Sequence, residues 1–190
     1  MRVARSELIL GGQKSGKTAR AESLAAAWLA QSPVHQAVYI ATAQAWDEEM
    51  RERIARHRRD RAERVPRMRT VEEPLALAQA IGHHSRPDTL IVVDCLTLWL
   101  TAQLMPAVDP GEGATASRET PPASLAGAVA ACAGPLVLIS NEIGLGVIPM
   151  GREVRNFVDA LGTLNQLAAS ACERVTLMSA GLALTLKGGA

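Results

Sequence analysis

The chain is poor in the residues that build several common kinds of surface. Phe, Trp and Tyr together number five in 190 residues, which argues against an aromatic platform for stacking single-stranded nucleic acid. Formal net charge is only +1, so a globally basic nucleic-acid binder is excluded. The three cysteines, Cys95, Cys132 and Cys172, are odd in number and far apart, with neither a disulfide framework nor zinc spacing, and they fit a reducing compartment. No apolar run approaches the roughly 18 residues of a membrane span, and residues 1–7 do not lead into a signal-peptide core. A cytoplasmic protein with neither nucleic acid nor membrane as partner is expected. Lysine is scarce as well: of 20 basic residues only Lys14, Lys17 and Lys187 are lysines, and two of them share one four-residue stretch.

What is present suits a globular enzyme. With 48% hydrophobic and 21% charged residues, the chain belongs with soluble domains. At this length folding buries roughly 70% of the surface of the unfolded chain, enough for a core without staples. Residues 1–190 are read as one nucleotide-binding domain.

Hydrophobic patterning alternates between strand and helix. Strands are expected over 6–10, 37–41, 89–94, 136–140 and 175–179, with a shorter segment at 69–71. Helices are expected over 19–30, 47–64, 74–83, 96–104, 124–133 and 152–172, the third opening on Pro74 in its first turn. The run at 89–94 is apolar throughout and ends in Asp94, as a parallel strand buried on both faces would. Residues 182–186 are a candidate antiparallel edge strand. Residues 106–122 collect Pro, Gly, Ser, Thr and Ala and are expected to form a flexible loop. The resulting fold class is α/β, a P-loop-like, mostly parallel sheet with helices on both faces.

The segment Gly11-Gly12-Gln13-Lys14-Ser15-Gly16-Lys17-Thr18 matches G-x-x-x-x-G-K-[ST] between an expected strand and an expected helix. Such a loop turns backbone N–H groups toward phosphate oxygens at a helix start. Lys17 is placed to reach the β- and γ-phosphates, and the Thr18 hydroxyl to ligate Mg²⁺. Lys14 has two readings, a phosphate contact or a solvated side chain. Asp94 also has two, a carboxylate holding Mg²⁺ directly or through water, or a cap on the following helix. The strand ends at Gly11, Thr42 and Asp94 are expected on one rim of the sheet.

Nine of the 17 arginines lie between Arg51 and Arg69, and the helix over 47–64 opens acidic and closes basic as its dipole prefers. Met50, Ile54 and His57 fall at i, i+4 and i+7, which predicts that the imidazole faces inward. Two readings of His57 follow, a structural histidine or a nucleophile kept neutral by its cationic surround. A third motif, Ser140-Asn141-Glu142-Ile143-Gly144-Leu145-Gly146-Val147-Ile148-Pro149, follows a strand and reads as a loop shaped over a ligand or as a simple strand-to-helix connection. It is not N-K-x-D, which disfavours a switch GTPase.

Taken together, Gly11 to Thr18, the helix with Arg53-Ile54-x-x-His57, Asp94-Cys95-Leu96-Thr97, and Asn141-Glu142-x-Gly144-x-Gly146-x-x-Pro149 followed by Asn165-Gln166 resemble the bifunctional adenosylcobinamide kinase/adenosylcobinamide-phosphate guanylyltransferases of cobalamin biosynthesis. The resemblance runs in order over nearly the whole chain. It implies phosphorylation of adenosylcobinamide by ATP or GTP, and then transfer of GMP from GTP through a histidine, at the position of His57, to give adenosylcobinamide-GDP. It further implies nucleotide contacts at Ala41, Thr42, Ala43, Arg58, Arg59, Asp60, Arg61, Glu72 and Asp94, and a homo-oligomer, trimer or dimer. The chain departs from the family at Met68, where tryptophan is usual, and at Met150-Gly151, where many relatives have Glu-Asn. The competing readings are a small-molecule P-loop kinase without guanylyltransferase activity and a nucleotide-sensing ATPase or binding module.

Overall fold

Unbroken apolar runs bury both faces of a strand, and such strands build the centre of this molecule. In the computed structural model, which describes residues 2–45, 48–105 and 121–189 (backbone only for Arg53, Pro121 and Pro122), Thr89–Asp94 forms a strand with five of six residues buried. In chain order the elements are β1 (Ser6–Gly11), α1 (Lys17–Gln31), β2 (Gln36–Ala41), α2 (Glu48–Arg64), β3 (Met68–Glu72), α3 (Leu77–His84), β4 (Thr89–Asp94), α4 (Leu96–Leu104), α5 (Pro121–Ala131), β5 (Leu136–Ile139), α6 (Arg152–Ala171), β6 (Arg174–Ser179) and β7 (Leu182–Lys187). The strands make one sheet in the order β3-β2-β4-β5-β1-β6-β7. All neighbours are parallel except the last pair, where β7 returns antiparallel along β6. The architecture is the expected α/β one, with the antiparallel edge strand.

Two apolar layers sandwich the sheet. Leu24, Ala25 and Leu29 of α1 pack with Tyr39, Val92 and Ile139 on one face, joined by Val65 just beyond α2. The other face takes Leu77 and Ile81 of α3, Trp99 and Leu100 of α4, Leu125 of α5, and Leu161 and Leu164 of α6. Parallel pairing puts the C-terminal ends of the strands on one rim: Ala41 lies opposite both Glu72 and Asp94, and Asp94 opposite Ile139. Among the described residues, no helix is long and apolar enough to cross a membrane.

Two helix starts differ from expectation by three residues. α3 begins at Leu77 instead of Pro74, because the Glu73 carboxylate accepts hydrogen bonds from the N–H groups of Leu75 (3.0 Å) and Ala76 (2.8 Å) and holds Pro74 in a turn. α5 begins at Pro121, so the last two residues of the expected flexible loop open a helix, where proline's missing N–H costs nothing. Residues 106–120 of that loop lie outside the described residues, as does Asp47, the expected first residue of α2.

Candidate active site

The phosphate-type loop owes its shape to two glycines. Gly11 has φ +151° and Gly16 has φ +102°, both in backbone regions that L side chains avoid, and a Cβ on Gly11 would stand 2.4 Å from the Met178 carbonyl oxygen. Between them Lys14 is exposed at φ +56°, and Gln13 is exposed beside it. Lys17 curls back over the loop and its Nζ donates to the carbonyls of Gly11 (3.0 Å) and Gly12 (2.6 Å). Burial holds its pKa below the usual lysine value, with Cys95 and Asp94 pulling partly the other way. Among the described residues, the N-terminus of α1 carries no side-chain cap and no acidic residue in its first turn, which leaves its leading N–H groups as donors for an anion. The buried Ser15 Oγ also has no hydrogen-bond partner among the described residues. A concentrated set of donors without acceptors is what an anion requires.

Asp94 ends β4 on the same rim. The Thr18 hydroxyl donates to its Oδ2 at 2.9 Å, although β5 stands between β1 and β4, and the Tyr39 hydroxyl donates to the same oxygen at 2.5 Å. Burial first, and then the Asp94 carboxylate, raises the Tyr39 pKa well above 10, so the phenol keeps its proton and acts as donor. Among the described residues, the Asp94 carboxylate makes no capping hydrogen bond to α4, whose N-cap position is Cys95. Thr18 and Asp94 could hold a divalent cation. Among the described residues there is no group of three His, Cys, Asp or Glu that could hold a metal.

Thr42 reaches the rim with its side chain fully engaged: its hydroxyl donates to the Cys95 carbonyl at 2.7 Å and accepts from the Cys95 N–H at 2.8 Å. Ala41 and Ala43 flank it, half-buried.

Three arginines fasten α2. Arg64 pairs with Glu22 of α1 at 2.9 Å and lies 3.8 Å from Asp60. Arg61 is 4% exposed; its guanidinium lies 3.7 Å above the Tyr39 ring and donates to the Thr70 hydroxyl. Arg58 pairs with Glu72, the last residue of β3. Going backward along α2 therefore moves from mid-sheet at Arg61 to the rim at Arg58, and His57 lies one residue, about 1.5 Å, further.

This placement corrects the expectation for His57, whose side chain is exposed. It lies one turn from Arg61 on the same helix face, but there α2 has reached the end of the sheet and the face overlooks the rim. The inward position on α2 goes to Arg61. Arg59 is exposed.

The loop after β5 is rooted by polar contacts. Asn141 donates from its backbone (3.0 Å) and its side chain (3.1 Å) to the Thr97 hydroxyl, Asn165 donates to the Asn141 carbonyl at 3.0 Å, and the Glu142 N–H donates to the Gly11 carbonyl at 3.2 Å. Beyond this root, Leu145, Val147, Ile148 and Met150 are exposed. Sequence reasoning missed Tyr39, and it singled out Thr97 only as part of the motif Asp94-Cys95-Leu96-Thr97. The only available signal for Tyr39 was that the sole tyrosine interrupts an apolar strand two residues before its end.

A concavity of about 600 Å³ lies at the opposite end of the strands, lined by His35, Arg67, Arg69 and Asp88 among others. It contains none of the donors described above, and the rim is the better candidate because Thr18, at the end of the loop, meets the Asp94 carboxylate there.

A family model described as cobinamide kinase / cobinamide phosphate guanyltransferase matches residues 7–186. The chain is 46% identical over 183 residues to the bifunctional adenosylcobalamin biosynthesis protein CobP of Pseudomonas aeruginosa, covering 96% of this chain and 97% of that protein. It is 34% identical over 187 residues to the bifunctional adenosylcobalamin biosynthesis protein CobU of Escherichia coli, with 95% and 98% covered. The CobU of Salmonella typhimurium is 33% identical over 187 residues, with the same shares.

Proposed function

The chain belongs to the cobinamide kinase/cobinamide phosphate guanylyltransferase family, and from that premise we propose how its residues divide the two reactions. It is an enzyme of adenosylcobalamin biosynthesis that phosphorylates cobinamide and guanylylates the phosphate. In the kinase step, the backbone of Gly11 to Thr18, the start of α1 and Lys17 bind the triphosphate of ATP or GTP. The aminopropanol hydroxyl of adenosylcobinamide attacks the γ-phosphorus, loses its proton, and the nucleoside diphosphate departs. Thr18 and Asp94 are the residues that would hold Mg²⁺, which when bound neutralises phosphate charge.

In the second step a ring nitrogen of His57 attacks the α-phosphorus of GTP. The N–P bond forms as the bond to the bridging oxygen breaks, and pyrophosphate leaves with the electron pair. The phosphate of adenosylcobinamide phosphate then attacks the same phosphorus, releasing the imidazole and giving adenosylcobinamide-GDP. Ala41, Thr42, Ala43, Arg58, Arg59, Asp60, Arg61, Glu72 and Asp94 form the proposed nucleotide surround. Within it, Thr42 and Arg61 contribute through the elements they tie together, since both side chains are buried.

The reading is supported by the Thr18–Asp94 hydrogen bond, which brings the start of α1 beside the end of β4, and by the pairing of Arg58, next to His57, with Glu72 at the end of β3, with β1 and β2 only three strand spacings, roughly 14 Å, apart. GTP labelled at the α-phosphate should leave an acid-labile label on the protein. His57→Ala should lose that label yet still phosphorylate cobinamide. Phosphate transfer with no label on the unaltered protein would favour the plain kinase, and nucleotide turnover indifferent to cobinamide would favour a sensing module.

The chain is further proposed to act in the cytoplasm as one domain, consistent with three cysteines that are all free and buried. A homo-oligomer, dimer or trimer, is supported by the exposed apolar row Leu182, Leu184 and Leu186 on β7.

A further inference from the structure

Tyr39 is the only tyrosine in the chain and lies in the middle of β2, 4% exposed. A buried phenol needs one hydrogen-bond partner. Here the partner is the Asp94 carboxylate, and the oxygen involved, Oδ2, is also the one that accepts from Thr18 Oγ1. The other oxygen, Oδ1, takes no hydrogen bond among the described residues.

A carboxylate on its own turns easily about χ2, which is a broad torsion. With two donors on Oδ2, both oxygens of Asp94 are fixed in place. A threonine hydroxyl has one proton and two lone pairs, so giving the proton to Asp94 turns the lone pairs away from it. The phenol is itself braced. Arg61 lies over the ring, held by Thr70, and the other ring contacts belong to the packed layer beneath α1.

We propose that Tyr39 is a positioning residue of the cation site, holding the Asp94 carboxylate so that Thr18 presents its lone pairs, and Asp94 its Oδ1, to the metal. Arg61 acts through Tyr39 as the brace and links the helix of His57 to that carboxylate. The proposal rests on the reading of Thr18 and Asp94 as the Mg²⁺ site.

The test measures the affinity of a fluorescent ATP analogue with saturating Mg²⁺ and with EDTA, in the unaltered protein, Tyr39→Phe and Asp94→Asn. Phenylalanine keeps the ring and its stack on Arg61, so the fold is retained, and thermal melts check this. In Tyr39→Phe the affinity in EDTA should be unchanged, while the factor by which Mg²⁺ tightens binding falls about 3- to 10-fold, the scale of one lost hydrogen bond. The half-saturating Mg²⁺ concentration for the kinase reaction should rise with KM for cobinamide unchanged. An undiminished Mg²⁺ factor in Tyr39→Phe, with that factor lost in Asp94→Asn, overturns the role of Tyr39 alone. Equal weakening with and without Mg²⁺ also overturns it and makes Tyr39 merely structural. If Asp94→Asn retains the full Mg²⁺ factor, the reading of the cation site fails and the proposal fails with it.

Discussion

Lys17, the proposed phosphate cation, holds its charge where water is scarce. Its ammonium is stabilised by two carbonyls, but burial lowers its pKa below the 10.5 of an exposed lysine. The protonated form attracts phosphate, so affinity is lost as pH rises through the folded value, and a lowered value brings that loss to lower pH. Nucleotide affinity measured against pH should therefore begin its alkaline decline below the pH at which an exposed lysine would start it. A profile flat up to 10.5 would contradict this account of Lys17. The sequence marked Lys17 and Thr18 by the spacing of the glycine-rich motif and left Asp94 with two readings. It misplaced the imidazole of His57, since helical periodicity reports the direction in which a side chain points along α2 and not where the sheet beneath it ends.

Among the elements, β1, α1 and β6 are joined by a carboxylate inside the protein. Glu7 on β1 is 1% exposed, pairs with Arg20 of α1 at 2.8 Å, accepts from the Thr176 hydroxyl at 2.8 Å, and lies 3.7 Å from Arg174. Removing one partner from such a pair leaves an uncompensated charge, at a cost of about 3–5 kcal/mol. Glu7→Ala should lower the unfolding free energy on that scale in a denaturant titration, whereas a change within about 0.5 kcal/mol, the range of ordinary surface substitutions, would show the cluster to be inert. Nothing in Ser6-Glu7-Leu8 marks Glu7 for this role, because its partners come from residues 20, 174 and 176. Where element boundaries were misread, as at Pro74, a side chain had captured the backbone locally: Glu73 holds the turn that delays α3.

At the scale of the molecule, the strand order places β5 between β1 and β4 and so roots the loop from Asn141 between the phosphate loop and Asp94. It also leaves β7 at the edge of the sheet, with all six residues exposed and Leu182, Leu184 and Leu186 alternating toward one face. A second copy covering that row would remove apolar surface from water. Leu184→Glu should shift sedimentation toward the monomer with little loss of fold, and an unchanged sedimentation profile would exclude β7 from the contact.

The sequence by itself determined the alternation of strands and helices, the phosphate loop with its lysine and threonine, the carboxylate at the end of β4 and the family to which these motifs belong. Each of these depends on residues close together in the chain, whose spacing carries the physics. The tertiary structure decided that Tyr39 and Thr18 share one oxygen of Asp94, that Arg61 is buried over an aromatic ring, and that His57 stands open at the rim. Those outcomes depend on strand order and on how far α2 extends past the sheet, which only the packing of distant segments sets.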